Sequence, residues 1–164
     1  MPANTPATQR ECIGCAIVNG DLDPPGGIID QTDTFVLHHD PEVLIPGFLI
    51  VAPRRHIRSL NDFTKDEHTD FNTLLLRGRS LLSTLPNIES VTIIQEERSS
   101  HFHCWLFPWY PWMTERFGGN SLDHIRSINA HAKEHLTTPD QIRSILETVE
   151  QFKTTSRNRQ NKEE

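Results

Sequence analysis

The run Ser99-Ser100-His101-Phe102-His103-Cys104-Trp105-Leu106-Phe107-Pro108 constrains this chain more than any other stretch. Aromatic and apolar residues dominate it and a proline closes it, which is the composition of a β-strand. A strand sends alternate side chains to opposite faces. His101, His103, Trp105 and Phe107 therefore share one face. Phe102, Cys104 and Leu106 share the other, which is uniformly apolar and belongs to a core. Two imidazoles on one face, backed by an apolar face, are not a pattern that packing requires. The bland alternative is a pair of surface histidines beside the core.

The chain has 164 residues, enough for one domain with an ordinary core. Its net charge of -6 argues against sequence-independent nucleic-acid binding, which needs a basic surface. A few arginines still suffice to make a local site for a small anion. No apolar run approaches the roughly 20 residues of a membrane span. Met1 to Arg10 is small, polar and proline-bearing, lacks the apolar region of a secretory signal, and is expected to be disordered. Three cysteines do not make a disulfide scaffold, so a cytoplasmic setting with reduced thiols is the simplest expectation.

Cys12-Ile13-Gly14-Cys15 has two rival explanations, a redox pair or half of a zinc site. A redox pair is expected after a strand, at a helix N-terminus. The sequence before Cys12 does not read as a strand, which favours metal. Gly26–Asp30 and Thr34–His38 read as two strands of a hairpin, turning at Gln31, Thr32 and Asp33. Phe48–Pro53 is a continuous apolar run bounded by prolines, suited to a buried central strand. Arg54, Arg55 and His56 follow it directly. Thr64-Lys65-Asp66-Glu67 is a capping box, and Phe71, Leu74, Leu75, Leu81, Leu82 and Leu85 behind it mark an amphipathic helix ending near Pro86. Val91–Gln95 is another buried strand. Trp109 to Met113 reads as aromatic and irregular. Leu122–Leu136 is a second helix, and Thr138-Pro139-Asp140-Gln141 caps a third, with fraying expected from Lys153 onward. The resulting division is a disordered start over 1–10, a folded unit over 11–115, a helical extension over 116–153 and a polar tail over 154–164.

Cys12, Cys15, His56 and His101 together make a Cys₂His₂ set, a usual tetrahedral donor set for zinc. Two thiolates and Zn²⁺ sum to zero charge, so such a site tolerates partial burial. Four protein ligands leave no open position, which makes the metal a structural clip. The alternative is free thiols and an ordinary surface His56. His103 then lies on the same face as His101, about 7 Å further along the strand. A neutral imidazole is a good nucleophile towards phosphorus, and its nitrogen is available near pH 7. Arg54, Arg55 and Arg98, with amides near Ser99 and Ser100, are candidates for offsetting phosphate charge.

These residues resemble the histidine triad (HIT) superfamily, whose signature alternates three histidines with apolar residues on the last core strand. The match here is His101-Phe102-His103-Cys104-Trp105-Leu106-Phe107-Pro108. A second block, Pro46-Gly47-Phe48-Leu49-Ile50-Val51-Ala52-Pro53-Arg54-Arg55-His56, looks like the family's Pro-Gly-His-x-Leu-Val-x-Pro-Lys-x-His. The start at Cys12 and Cys15 is similar to the zinc-bearing members. The resemblance spans Cys12 to Pro108. It implies an α+β fold: an antiparallel sheet of about five strands with a long helix packed on it. Here extra C-terminal helices would follow. It implies a homodimer and a nucleotide substrate attacked at an α-phosphate by His103. It places Asp40 where many members bind ribose hydroxyls, and it makes Cys12, Cys15, His56 and His101 the zinc ligands. The substrate classes it covers are dinucleoside polyphosphates, nucleoside phosphoramidates and nucleotide sugars, hydrolysed or transferred.

Two positions depart from the pattern. Trp105 replaces the third histidine, and an indole N–H donates a hydrogen bond but does not cycle a proton near pH 7. The uridylyltransferase branch carries a glutamine there, so this loss does not by itself end the chemistry. Glu96-Glu97-Arg98-Ser99 replaces the usual Gly-Gln phosphate loop. The second expectation is therefore a nucleotide-binding or scaffold protein of the same fold with weakened catalysis.

Overall fold

The computed structural model describes residues 12–163; the expectation of a disordered start over 1–10 lies outside them. The chain begins with α1 (Ile13–Asn19), then β1 (Ile28–Gln31), β2 (Phe35–His39) and β3 (Leu49–Pro53). A short 3₁₀ turn over 60–62 leads to α2 (Lys65–Leu82), β4 (Ser90–Gln95) and β5 (Cys104–Trp109). Three helices close the chain: α3 (Pro111–Phe117), α4 (Leu122–His135) and α5 (Pro139–Glu163). The strands form one antiparallel sheet in the order β1-β2-β3-β5-β4. This is the α+β architecture anticipated from the motifs. Among the described residues no helix is long and apolar enough to cross a membrane.

The central strands β2 and β3 are buried at every position, as expected of strands covered on both faces. One face carries Phe35, Leu37, Leu49, Val51, Cys104 and Leu106 into the main core, where they meet Leu74, Leu81 and Leu82 of α2. Gly78 lets α2 approach: a Cβ there would lie 3.2 Å from Leu37 Cδ1. The other face carries Val36, His38, Ile50, Ala52, Trp105 and Phe107. It is covered at one end by α1 and at the other by α3 and α4, whose Met113, Ile125 and Ile128 pack with Phe48 and Phe107. Between these two covers a cavity reaches the sheet face at His38, Ile50 and Ala52, and that is where the site lies.

The capping box at Thr64 forms as its sequence predicts. Thr64 Oγ1 accepts from the Glu67 amide at 3.2 Å, and Glu67 Oε2 accepts from the Thr64 amide at 2.7 Å. Glu67 is also gripped by Arg55, whose Nε and Nη2 donate to its two oxygens at 2.9 Å each. Arg55 is thus a clamp on the start of α2. Thr138 and Gln141 make the equivalent box at α5, with Gln141 N donating to Thr138 Oγ1 at 3.3 Å and Thr138 N to Gln141 Oε1 at 2.9 Å.

Three local expectations are corrected. The histidine strand joins the ladder only at Cys104 and runs one residue past Pro108, to Trp109. Arg54 N donates to Thr34 O, just ahead of β2, so the adjoining Pro53 nitrogen is turned towards β5, where it has no hydrogen to give. His101–His103 are held another way, by Phe102 N donating to Ile57 O at 2.6 Å. The segment after Trp109 is not irregular: Pro111 sits at the first position of α3, where its fixed φ suits a helix. The chain past Lys153 stays helical to Glu163 instead of fraying. Gln160 donates to Asp30 on β1 at 3.1 Å, Arg77 on α2 pairs with Glu163 at 3.3 Å, and Phe152 is fully buried.

The Arg55 hydrogen bonds hold the Glu67 carboxyl down to about 2, against burial, which pushes it up. A carboxyl depressed in the folded state stabilises the fold above its ordinary range and loses that contribution as pH falls through the depressed value. Glu67→Gln is expected to cost about 2 kcal/mol at pH 7, a figure discounted for the half-exposed guanidinium. The difference from wild type should vanish as pH drops towards about 2, and paired urea melts across that range measure it.

Candidate functional site

Cys12 is the N-cap of α1, its Sγ accepting from the Cys15 amide at 3.3 Å. One helical turn brings Cys15 beside it. Cys15 Sγ lies 3.1 Å from His56 Nδ1 and 3.5 Å from His101 Nδ1, and Cys12 Sγ lies 3.4 Å from His101 Nδ1. The four donor atoms are all within 4.8 Å of one another. The structure thus gathers the four residues that the sequence proposes as metal ligands. Gly14 makes the closeness possible, because a Cβ there would lie 2.7 Å from the His101 ring.

The donor chemistry suits a metal ion. His101 Nε2 is 2.8 Å from Pro53 O. A carbonyl only accepts, so Nε2 carries the hydrogen and Nδ1 presents its lone pair to the thiols. Without a cation, burial and the neighbouring Cys12 push the Cys15 thiol up to about 11. Burial also lowers the His101 imidazole, despite its bond to Pro53 O. A divalent cation reverses the cost of ionising both thiols, since metal binding expels their protons.

His103 stands next to this cluster and is half-buried. Its Nδ1 is 3.1 Å from His101 O. The same reasoning about a carbonyl puts the hydrogen on Nδ1 and the lone pair on Nε2. Ser99 Oγ also donates to His101 O at 2.5 Å and lies 3.2 Å from His103 Nδ1. Ser99 therefore braces the turn that orients the ring. Trp105 is the next residue on this face, its ring centroid 6.0 Å from that of His103.

Two cavities meet at His103 and Trp105. The larger, about 370 Å³, runs over the sheet face towards α1 and is lined by Ile17, His38, Asp40, Ile50 and Ser100 among others. The small side chain of Ala52 gives it depth beside His103. The smaller, about 140 Å³, runs towards α4 and is lined by Ile94, Glu96, Leu122, Ile125 and Arg126.

Asp40 is buried at one end of the larger cavity. Its Oδ1 accepts from the amides of Glu42 and Val43 at 2.9 and 2.7 Å. Burial raises its carboxyl, opposed by these two bonds. His38 is 2 % exposed, with Nδ1 donating to His39 O at 2.7 Å, and burial pushes its imidazole down to about 4. It is a neutral wall of the cavity at ordinary pH.

Of the residues proposed from sequence, His103, Trp105, Asp40, Ser99 and Ser100 line this region. Arg98 does not; it makes an exposed ion pair with Glu96 at 3.1 Å. Arg54 and Arg55 are also engaged elsewhere, Arg54 on Gln31 and Thr32 at the β1–β2 turn and Arg55 on Glu67. Sequence reasoning missed His38, Ile17 and Arg126 as lining residues. An imidazole inside an apolar strand was a visible signal for His38. Nothing in the sequence brings Arg126 near a residue more than twenty positions earlier.

No protein-family model matches this chain, and no curated protein does. Solved structures do match. A zinc-bound histidine triad family protein from Mycobacterium smegmatis is 17% identical with a TM-score of 0.57, covering 90% of this chain and 99% of that one. A HIT family protein from Bacillus subtilis is 15% identical with a TM-score of 0.57, covering 78% and 99%. A Hit-like protein from Bartonella henselae, described as involved in cell-cycle regulation and solved with an unknown ligand, is 13% identical with a TM-score of 0.59, covering 85% and 91%. The fold of this chain is that of the histidine triad proteins.

If the cluster holds a metal, stripping it with a strong chelator should lower the melting temperature of the wild type by several degrees. The Cys12→Ser/Cys15→Ser double variant should start lower and not respond. A chelator-insensitive wild type would show that the cluster carries no metal.

Proposed function

We propose that this chain is a nucleotide hydrolase or nucleotidyl transferase that attacks an α-phosphate through His103. The observation that carries the reading is the hydrogen bond from His103 Nδ1 to His101 O, which leaves the Nε2 lone pair unspent on a ring that lines two cavities. In the larger cavity a nucleoside would lie on Ile17 and Ile50, with its ribose hydroxyls towards Asp40. One Asp40 oxygen is occupied by backbone amides, which fixes the carboxylate and leaves the other oxygen for a ligand.

The chemistry balances as two displacements. His103 Nε2 forms a bond to the α-phosphorus while the bond to the leaving group breaks, and the leaving group takes that electron pair. Water, or a second acceptor, then attacks phosphorus, and the nitrogen–phosphorus bond breaks. The product is a nucleoside monophosphate or a transferred nucleotide, with one proton released. As the ring acquires positive character, His101 O stabilises it through Nδ1–H.

We propose zinc for the Cys12, Cys15, His56 and His101 cluster. With four protein ligands it would supply structural fixation only. It would lock His101, and with it the carbonyl that orients His103. A second copy of the chain is proposed along the open β4 edge, where Ile93 is half-exposed, and cysteines that form no disulfide suit a cytoplasmic setting.

The alternative is a nucleotide binder of the same fold, favoured by Trp105 in place of a third histidine. Incubation with a panel of nucleotides followed by intact-mass analysis separates the two. A transient nucleotidylated chain and released monophosphate are expected for wild type, and His103→Ala should form neither while keeping its fold. Tight binding with no adduct and no product would establish the binder.

A further inference from the structure

We infer that Arg126, on helix α4, binds the leaving group, and that the site is built for an anionic leaving group: a phosphoanhydride substrate instead of a phosphoramidate. The inference rests on the nucleotidyl-transfer reading of His103. It adds a residue and narrows the substrate class.

Three observations combine. The first is position. Both cavities border His103, where an α-phosphate must sit to be attacked. The larger holds the carboxylate of Asp40, suited to ribose hydroxyls. That leaves the smaller for the group on the other side of the phosphorus. Its lining is apolar apart from His103, Glu96 and Arg126.

The second is charge. Each arginine that the sequence offers for phosphate is committed elsewhere: Arg54 to Gln31, Arg55 to Glu67 and Arg98 to Glu96. Arg58 donates twice to Glu97 O. Arg126 has no hydrogen-bond or ion-pair partner among the described residues and lines the cavity beside His103. Glu96 shares the cavity, but its carboxylate is paired with Arg98.

The third is the residue beside His103, which cannot supply a proton for departure. An amine leaving group must be protonated as the phosphorus–nitrogen bond breaks, which calls for a general acid. Trp105 occupies the place beside His103, and indole does not give up its proton near pH 7. A phosphate leaving group departs as a stable anion and requires positive charge, not a proton. A guanidinium supplies that charge with planar paired donors. The bond that breaks is the anhydride phosphorus–oxygen bond. The departing oxygen keeps both electrons and its negative charge falls to Arg126.

The test compares diadenosine triphosphate with an adenosine phosphoramidate whose leaving group is an uncharged alkylamine. Wild type should turn over the first faster. Arg126→Ala should lower kcat/KM on the triphosphate about tenfold or more and change the phosphoramidate by less than about twofold, with Arg126→Lys recovering part of the loss. Trp105→His should raise turnover of the phosphoramidate selectively. Faster wild-type turnover of the phosphoramidate, or equal loss on both substrates in Arg126→Ala, overturns the inference while leaving the transferase reading intact. If wild type processes neither probe and no adduct forms on His103, the transferase reading itself falls and takes this inference with it.

Discussion

The site depends on one residue tied at three points. His101 donates from Nε2 to Pro53 O, presents Nδ1 to two thiols, and offers its own carbonyl to His103 Nδ1. The first tie fixes its tautomer, the second joins it to α1, and the third sets the direction of the neighbouring lone pair. None of these bonds belongs to the sheet ladder, which stops at Cys104. Because Pro53 has no hydrogen to extend that ladder, the main chain before Cys104 is free to adopt the geometry that the ring contacts demand. The proline thus ends a strand and opens a site in one step.

The sheet divides labour between its faces. One face is a conventional core against α2 and α5, and it carries the stability. The other is covered by α1 at one end and by the α3–α4 pair at the other, and it carries the candidate site. Alternation of side chains forces this division: Cys104 and Leu106 go down into the core, while His103 and Trp105 go up. His38 and Asp40, both buried, are fixed by backbone hydrogen bonds where they line the larger cavity.

Much of this was legible in the chain itself, and the limits have physical reasons. The alternation around His101, the capping box at Thr64 and the Cys12–Cys15 pair are local patterns of spacing and residue type, and each reappears in the structure; His56 and His101 were legible as their partners by residue type alone. The helical tail beyond Lys153 was not legible, because its own sequence is polar. Its order comes from Gln160 reaching Asp30 and Arg77 reaching Glu163, both contacts across more than 80 residues. The arginines misled for the same reason. Arg55 stands next to a motif residue in sequence, yet its partner is the capping glutamate of α2. Arg126 has no motif around it, yet the packing of α4 onto Phe48 and Phe107 carries it to the cavity edge.

Phe48 and Trp105 show why a missing histidine need not mean a dismantled site. The sequence pattern places histidines at both positions, and here both are aromatic. Phe48 is fully buried and meets Trp105 edge-to-face, with centroids 5.2 Å apart. That geometry is the favourable one for two rings, worth about 1 kcal/mol beyond the area it buries. The two rings therefore support each other, Phe48 from within the core and Trp105 where it lines both cavities. What the exchange removes is proton traffic; what it retains is shape. In the proposed reaction such a pocket would still present a phosphorus atom to His103, and the burden of easing departure would pass from a proton donor to the positive charge that the surrounding helices bring.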